Sequence, residues 1–327
     1  MRIVLFLLFC PLMIQAQDEI VVYSSRNEQL IKPIFDMFQK ETGIEVKVRT
    51  DNAGALIQRL VSEDRRTPAD ILLTVDAGNL WLAKSKGILA KLDSNALKTH
   101  IPEHLRDPDG QWFGFSLRAR TLVYNKNKIK PSELAGYTAL ADGAWKGKLL
   151  LRTSKKVYNQ SLVAMLIAEH GEKKAEEIVS GWVANLAAPV FSNDTRLIEA
   201  LASGTGTVGI VNTYYYGRQI RKNPDLPVAL YLPNAEQGGV HVNVSGAAVL
   251  KHSKDKKTAL RLMEWLVTPK AQEAFAKSNL EYPVRKDVKL DPIVQDWGPL
   301  IQNSMNLSQA GELQAQAIKL MDRVGYR

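Results

Sequence analysis

The sequence predicts an α/β protein with two lobes, each a mostly parallel sheet flanked by helices. Strand-like and helix-like segments alternate over residues 19–87 and again over residues 148–216, a pattern typical of parallel sheets with helices on both faces. No low-complexity linker separates the two series, so strands that cross between the lobes are expected to join them. Ligands of such sheets bind at the carboxyl ends of strands, and a cleft between two lobes is a favoured pocket.

Each predicted element rests on the spacing of its apolar residues. Strands are assigned where these residues alternate or run together over about four to eight positions, and helices where they recur every three or four positions. The first series is strand 19–23, helix 30–41, strand 44–49, helix 55–63, strand 71–75 and helix 79–86. The second is strand 148–152, helices 160–169 and 173–184, a short strand at 190–191, helix 196–202 and strand 208–211.

Other predictions concern segments outside the two series and one helix start. Residues 118–124 and 242–250 are extended and are the candidates for the crossing strands. Residues 258–277 are predicted as one long amphipathic helix, and residues 308–324 as the strongest helix of the tail. Asn159 has a side chain suited to cap the helix predicted to begin at the next residue.

Composition and charge exclude several classes of protein. The chain has 327 residues, of which 45% are hydrophobic and 24% charged, as in globular rather than disordered or fibrous proteins. Its formal charge of +9 comes from basic residues scattered along the sequence, so a nucleic-acid partner is not expected. The sequence contains no CxxC, HExxH or GxSxG motif, which argues against a cysteine-ligated metal, a zinc protease and a serine hydrolase.

Residues 1–16 are predicted to be a cleavable export signal. A basic residue precedes an apolar run over residues 4–14, which is shorter than the ~20 residues that a membrane-spanning helix requires. Cleavage is expected near Ala16, and the alternative is a buried N-terminal strand. The single cysteine, Cys10, lies inside the apolar run, so the exported chain is expected to contain none.

A candidate anion site follows the first predicted strand, over residues 24–27 (SSRN). The chain turns into a helix there, and free backbone N–H groups at the positive end of a helix dipole favour an anion. Arg26 adds a planar set of donors that suits an oxyanion. The sequence leaves open the alternative of a helix cap beside a surface arginine.

Three consecutive tyrosines follow the last strand of the second series: Tyr214, Tyr215 and Tyr216. Because neighbouring helical residues point about 100° apart, two of these phenols can meet one ion only where the strand bends into a helix. Tyr158 also stands where a helix is predicted to begin. Phenolate is a hard oxygen ligand that suits a highly charged cation such as Fe3+. The alternative is that these tyrosines are partly core residues.

A series of stretches, in order over nearly the whole chain after residue 16, resembles one known family. The stretches are VVYSSRNEQLIKPIFDMF, ADILLTVDAGNLW, FSLRARTLVYNK, VYNQSLVAMLIAEHG, SNDTRLIEALASG, VGIVNTYYYGR and HVNVSGAAVLKHS. Of these, NTYYYGR and VYNQSLVA are the most specific. Together they resemble the periplasmic ferric-iron-binding proteins, the solute receptors of bacterial iron ABC importers. The resemblance implies a type II periplasmic-binding-protein fold and a receptor rather than an enzyme.

The resemblance implies an iron site built from tyrosinate ligands. The matching metal ligands are Tyr158, Tyr214 and Tyr215, and Tyr216 matches a supporting aromatic position. Family members with three such tyrosines complete the coordination of Fe3+ with a carbonate or similar synergistic anion. The implied anion contacts are Arg26, Arg118 and Asn193, with Arg120 as a further candidate.

Two positions differ from members of the family that use more protein ligands. Where some members have a histidine or a histidine–tyrosine pair after the first strand, this chain has Asn27 and Glu28. Where others have a glutamate at the end of the third strand, it has Val75. The resemblance therefore implies that these protein ligands are absent, with Glu28 as a metal ligand left as the alternative.

The crossing strands and the resemblance together predict how the chain is divided and what it does. Residues 17–118 and 243–293 are expected to form the N-terminal lobe, and residues 119–242 and 294–327 the C-terminal lobe. The protein is expected to be a periplasmic monomer that delivers iron to an inner-membrane ABC permease. The alternative is a receptor of the same fold that binds an oxyanion or a small organic solute without a metal.

Overall fold

The computed structural model describes residues 18–327, so the predicted export signal with Cys10 lies outside the described residues. The strands are β1 (Glu19–Ser24), β2 (Glu45–Thr50), β3 (Ile71–Thr74), β4 (Phe113–Asn125), β5 (Leu149–Leu150), β6 (Val208–Asn212), β7 (Val228–Tyr231), β8 (His241–Val249) and β9 (Tyr282–Pro283). The helices are α1 (Glu28–Thr42), α2 (Ala53–Glu63), α3 (Ala77–Ser85), α4 (Asn95–His100), α5 (Val157–His170), α6 (Glu172–Ala184), α7 (Asp194–Ala202), α8 (Thr213–Lys222), α9 (Lys256–Trp265), α10 (Pro269–Asn279), α11 (Pro292–Gln295), α12 (Leu307–Glu312) and α13 (Gln314–Arg323). In this part of the chain, no helix combines the length and apolar character that crossing a bilayer requires.

These strands form one sheet in the order β2-β1-β3-β8-β4-β6-β5, with β7 and β9 also paired to β4. β1 is parallel to both β2 and β3, and β5 is parallel to β6. The strands that connect these groups, β4 and β8, run antiparallel to their neighbours. The parallel pairs therefore carry the two β-α series, and the antiparallel pairs join them.

β4 passes from one group of strands to the other. Its first part, up to Arg120, pairs with β8, whereas residues 120–124 pair with β6. All of its side chains are buried, as expected of a strand covered by helices on both faces. The segment predicted at 118–124 is the second half of this strand.

The buried side chains of the described chain form separate clusters. The largest takes its members from β1, β3, β8, α1 to α3, α9 and α10. A second lies between α5, α6, β6 and α13, and a smaller one lies against α7. β4 is divided among them, since Ala119 belongs to the first cluster and Leu122 to the second. The lobe boundaries predicted from the sequence stay a prediction.

Contacts away from the strand crossing also tie the predicted lobes together, and two of them involve α12 and β8. α12 packs against both α3 and α5, and a Cβ on Gly311 would lie only 2.4 Å from the Cβ of Trp81. Glycine therefore permits the close approach of α12 to α3. Asn243 on β8 makes the second tie, because its amide donates to Asp76 Oδ2 at 2.6 Å and to Ser161 Oγ at 3.0 Å.

The single helix predicted for residues 258–277 is wrong. The chain there forms α9 and α10, and Pro269 is the first residue of α10. Proline lacks the N–H group that an uninterrupted helix needs, but it is well suited to a first helical position. The tail helix predicted for residues 308–324 is also divided, so that α12 packs on α3 and α5 while α13 packs on α5 and α6.

Candidate functional site

Tyr214 and Tyr215 lie in the first turn of α8, directly after β6 ends at Asn212. Their ring centroids are 4.4 Å apart and their planes are inclined by 31°. Tyr214 is buried and Tyr215 is half-buried. The change from strand to helix thus sets two consecutive phenols side by side.

Tyr158 brings a third phenol from a separate element, the first turn of α5. It lies close enough to Tyr214 to contribute to the raised pKa of that phenol. The guanidinium of Arg152 lies 5.2 Å from the ring centroid of Tyr158 and 5.7 Å from that of Tyr215. The structure therefore brings together the three tyrosines that the sequence predicts as metal ligands.

The surroundings of Tyr214 determine the pKa of its phenol. Burial is the largest cause that raises the pKa of Tyr214 well above its ordinary value, and the neighbouring Tyr158 and Tyr215 act in the same direction. The positive charge of Arg118 opposes them and lowers the pKa. The phenol therefore keeps its proton at neutral pH unless a bound cation takes the proton's place.

Arg26 is buried, with 1% of its surface exposed, so the alternative of a surface arginine is wrong. Its Nη1 donates to Ser245 Oγ at 2.6 Å and to Glu281 Oε2 at 3.1 Å, and the guanidinium lies 5.5 Å from the ring centroid of Phe275. Its Nε and Nη2 are buried and have no hydrogen-bond partner among residues 18–327. One edge of the guanidinium is thus free to donate to a ligand.

Arg118, on β4, faces the tyrosines. Its guanidinium lies 6.0 Å from the ring centroid of Tyr158, and its Nη2 donates to the carbonyl oxygen of Val75. Its Nε is buried and unpaired within the described chain. Burial disfavours its charge, but Glu281, Tyr158 and Tyr214 outweigh burial and raise the pKa of Arg118. A second arginine with a spare donor therefore lies beside the phenols.

Arg120 differs from Arg118, because each of its three nitrogens donates to a protein acceptor. The acceptors are Asn159 Oδ1 at 2.9 Å, Asp194 Oδ2 and Asn212 Oδ1 both at 3.2 Å, and the carbonyl oxygen of Ile210 at 3.1 Å. These bonds give Arg120 a supporting role that joins β4, α5, α7 and β6.

The predicted cap at Asn159 is wrong, because α5 begins earlier, at Val157. The buried amide of Asn159 instead donates at 2.9 Å to the carbonyl oxygens of Arg152 and Thr153. It therefore fixes the turn that precedes Tyr158.

Asn193 caps the start of α7, and its side-chain hydrogen bonds are local. Its Oδ1 accepts from the N–H of Arg196 at 3.0 Å, and its Nδ2 donates to Ser192 Oγ at 3.3 Å. Its predicted contact with an anion stays a prediction.

Three further residues were predicted for the site or its support: Asn27, Glu28 and Tyr216. Asn27 caps α1, and Glu28 is exposed in the first turn of that helix. Tyr216 is half-buried, and its ring centroid lies 6.0 Å from that of Trp297. Its ring packs on Trp297, and its support of the other two tyrosines stays a prediction.

Arg152 and Glu281 also belong to this site, although the sequence did not predict them. Arg152 forms an ion pair with Asp194 at 3.5 Å, and its Nε is unpaired within the described residues. The available signal was its place after a buried strand, which it shares with Arg26. In the sequence, Glu281 is flanked by Leu280 and Tyr282 and belongs to no motif. Its role is indicated only by partners that are distant in the sequence, Arg26 and Ser116.

Within residues 18–327, no group of three His, Cys, Asp or Glu side chains could hold a metal.

Comparison with known proteins places this chain among solute receptors. The family of bacterial extracellular solute-binding proteins matches residues 34–300. Iron uptake protein A1 of Synechocystis is 41% identical over 317 residues, which cover 95% of this chain and 88% of that protein.

Solved structures with the same fold include two ferric-iron-related proteins. A Trichodesmium protein (IdiA, or FutA), in complex with iron and citrate ligands, is 43% identical with a TM-score of 0.90, over 94% of this chain and 100% of that one. A ferric binding protein from Campylobacter jejuni is 35% identical with a TM-score of 0.86, over 94% of this chain and 100% of that one. The two-lobed fold expected from the sequence is confirmed by this likeness.

Proposed function

Because the chain belongs to the bacterial extracellular solute-binding proteins, we propose that it captures ferric iron in the periplasm and delivers it to an ABC transporter permease. One observation carries this proposal: the phenols of Tyr158, Tyr214 and Tyr215 converge from two helices. The iron-related names of similar proteins support the choice of metal. The family is one of receptors rather than enzymes.

The chemistry of the cluster favours a trivalent, oxygen-seeking cation. Three phenols that lose their protons supply three negative charges, which neutralise Fe3+. Metal binding supplies the free energy that removes protons from phenols with an unperturbed pKa of about 10. Three ligands leave coordination positions open, so a further ligand is needed to complete the shell.

A planar oxyanion such as carbonate is the proposed further ligand. The free edge of Arg26, its Nε and Nη2, suits two parallel hydrogen bonds to such an anion, and the Nε of Arg118 offers a third. Buried donors without partners are costly. An anion that accepts from them gains these hydrogen bonds as well as its bond to the metal.

The proposed transport role extends to the rest of the chain. Residues 1–16 would direct export to the periplasm, and the lobes formed by 17–118 with 243–293 and by 119–242 with 294–327 would close about the ion. The receptor would act as a monomer that presents the closed form to the permease, with no nucleic acid involved. Hinge closure about a ligand is a common motion of two-lobed receptors.

A second candidate is a receptor of the same fold for an oxyanion without a metal. The unpaired donors of Arg26 and Arg118 favour it, because they could bind an oxyanion by themselves. Isothermal titration with a ferric chelate, sulfate, phosphate and a polyamine separates the two. We expect a heat of binding and a visible colour with the ferric chelate, and neither signal with sulfate, phosphate or the polyamine. Saturable binding of sulfate or phosphate, with no response to the ferric chelate, would favour the second candidate.

A further inference from the structure

Glu281 is a buried carboxylate whose two oxygens are both occupied. Its Oε2 accepts from Ser116 Oγ at 2.5 Å and from Arg26 Nη1 at 3.1 Å, and its Oε1 accepts from Asn279 Nδ2 at 2.7 Å. Only 1% of the residue is exposed. A charge this deep is tolerated because it is paired with an arginine and hydrogen-bonded on both oxygens.

The carboxylate remains ionised at neutral pH. Burial raises the pKa of Glu281, but the charges of Arg26 and Arg118 and the hydrogen bonds from Ser116 and Asn279 outweigh burial and lower the pKa overall. The pair formed with Arg26 is therefore a true ion pair.

The ion pair with Glu281 helps to determine which edge of the Arg26 guanidinium is free. Glu281 and Ser245 take the Nη1 end of the guanidinium, and Phe275 lies against its face. The unpaired donors are then confined to the opposite edge, Nε and Nη2. Without the carboxylate the guanidinium could turn, and the two donors would no longer be held ready for a planar anion.

Glu281 is also connected to the helix that carries two of the tyrosines. Asn279, which donates to Glu281, accepts from Arg218 Nη2 on α8. The guanidinium of Arg218 lies 5.3 Å from the ring centroid of Tyr214. A continuous path of contacts therefore runs from Arg26 through Glu281, Asn279 and Arg218 to Tyr214.

Side chains of the same segment and of Trp297 also pack closely on α8 at Gly217. A Cβ on Gly217 would lie 2.6 Å from Leu280 Cδ1, and 2.8 Å from the ring of Trp297. The segment around Glu281 thus packs directly on α8, beside the polar path.

We propose that Glu281 is a positioning residue for the anion, which holds Arg26 in the orientation that binds carbonate. Asn279 links this arrangement to α8, so that placement of the anion and placement of Tyr214 depend on each other. Glu281 acts through Arg26 and is not itself a ligand of the ion. This inference rests on the proposed function, and it assigns a role to residues that neither the motifs nor the resemblance indicate.

The test measures the visible band of the ferric protein as a function of bicarbonate concentration. In Glu281→Gln the bicarbonate concentration that gives half of the full band is expected to rise about tenfold, as for loss of a charged hydrogen bond. At saturating bicarbonate the band should return to its wild-type position, because the tyrosines are unchanged. A variant whose bicarbonate midpoint equals that of the wild type would overturn the inference.

A matched control separates positioning from general stability. Asp107 is also a buried carboxylate, paired with Lys84 at 2.7 Å, and none of its hydrogen bonds reaches the tyrosines or Arg26. Asp107→Asn should lower the melting temperature and leave the bicarbonate midpoint in place. An equal rise of the midpoint in Asp107→Asn would show that any buried carboxylate has this effect and would overturn the inference.

A second variant keeps the test decisive if Glu281→Gln does not fold. Asn279→Ala keeps the carboxylate but removes its link to Arg218, and a smaller rise of about threefold in the midpoint is expected because the lost hydrogen bonds act on Arg26 only through Glu281. An unchanged midpoint in Asn279→Ala would then contradict the coupling to α8. If the wild type itself binds no ferric iron, the proposed function fails. If the wild type shows the band and the variants match its midpoint, only this inference fails.

Discussion

Arg118 and Arg120 stand two residues apart on the same strand, yet their surroundings differ. Arg120 donates from all three of its nitrogens to protein acceptors, including Asp194 at 3.2 Å. Arg118 donates to Val75 and keeps its Nε unpaired beside Tyr158. The first arginine joins strands and helices, whereas the second has a donor left for something that is not protein.

The same contrast holds between two of the buried ion pairs. Arg26 lies 3.1 Å from Glu281, and Arg120 lies 3.2 Å from Asp194. The pairs differ in the donors that remain, since Arg26 has a free edge and each nitrogen of Arg120 is bonded. A buried arginine that is only partly satisfied therefore indicates a ligand, and a fully satisfied one indicates architecture.

The largest effect is expected when one of the predicted tyrosine ligands is removed. Tyr214→Phe removes a phenol that meets the other two, and ferric affinity is expected to fall at least about a hundredfold, more than a change outside the ligand set usually costs. Tyr216→Phe is the matched control, because Tyr216 packs against Trp297 instead. Competition titration with a ferric chelator measures both variants. Equal losses in the two would contradict the assignment.

The second largest effect is expected on stability, when the network of Arg120 is disrupted. Arg120→Gln leaves Asp194 as a buried charge with one partner fewer, and the free energy of unfolding is expected to fall by about 3–5 kcal/mol. Urea unfolding without iron checks this value. A loss below about 1 kcal/mol would show that the Arg120 network is not the support described here.

A change of pH sharpens the comparison, because it acts on the phenols. The pKa of Tyr214 is raised, chiefly by burial, so its proton must leave when iron binds. Ferric affinity should therefore fall as the pH falls, by about tenfold per pH unit for each phenol that is ionised on binding. Chelator competition at several pH values, corrected for the chelator's own protonation, measures the slope. An affinity independent of pH between 6 and 8 would contradict phenolate ligation.

Arg118→Gln gives the smallest expected effect and the closest contrast to Arg120→Gln. The variant removes a spare donor and a positive charge beside the tyrosines, so ferric affinity at fixed bicarbonate should fall about tenfold. Its free energy of unfolding should fall by less than that of Arg120→Gln, because Arg118 has fewer protein acceptors to leave unpaired. Ferric affinity and the free energy of unfolding are therefore both measured on both variants. The reverse pattern, in which Arg118→Gln loses stability and Arg120→Gln loses iron, would refute the comparison.

Local patterns allowed much of this molecule to be predicted from its sequence. Apolar spacing located β1, α1 and β6, because each buries one regular face. The tyrosine cluster was predicted because a strand end is where consecutive side chains can converge on one ligand. The break before Pro269 was missed, although proline itself signals it.

Long-range contacts explain what the sequence could not provide. Arg118 and Arg120 project from the same face of a strand with a period of two, so no local pattern distinguishes their roles. The partner of Arg26, Glu281, is 255 residues away in the sequence. Which donors remain free depends on such contacts, and these exist only in the folded chain.

The most direct test of the central claim is the visible absorption of the iron-loaded protein. If Tyr158, Tyr214 and Tyr215 share one ferric ion, the wild type should show a purple-to-orange phenolate-to-iron charge-transfer band, and phenylalanine at any of these positions should weaken or shift it. Tyr216→Phe should leave the band unchanged. Iron bound at one equivalent without a visible band, or a band that Tyr158→Phe leaves unaltered, would contradict the account.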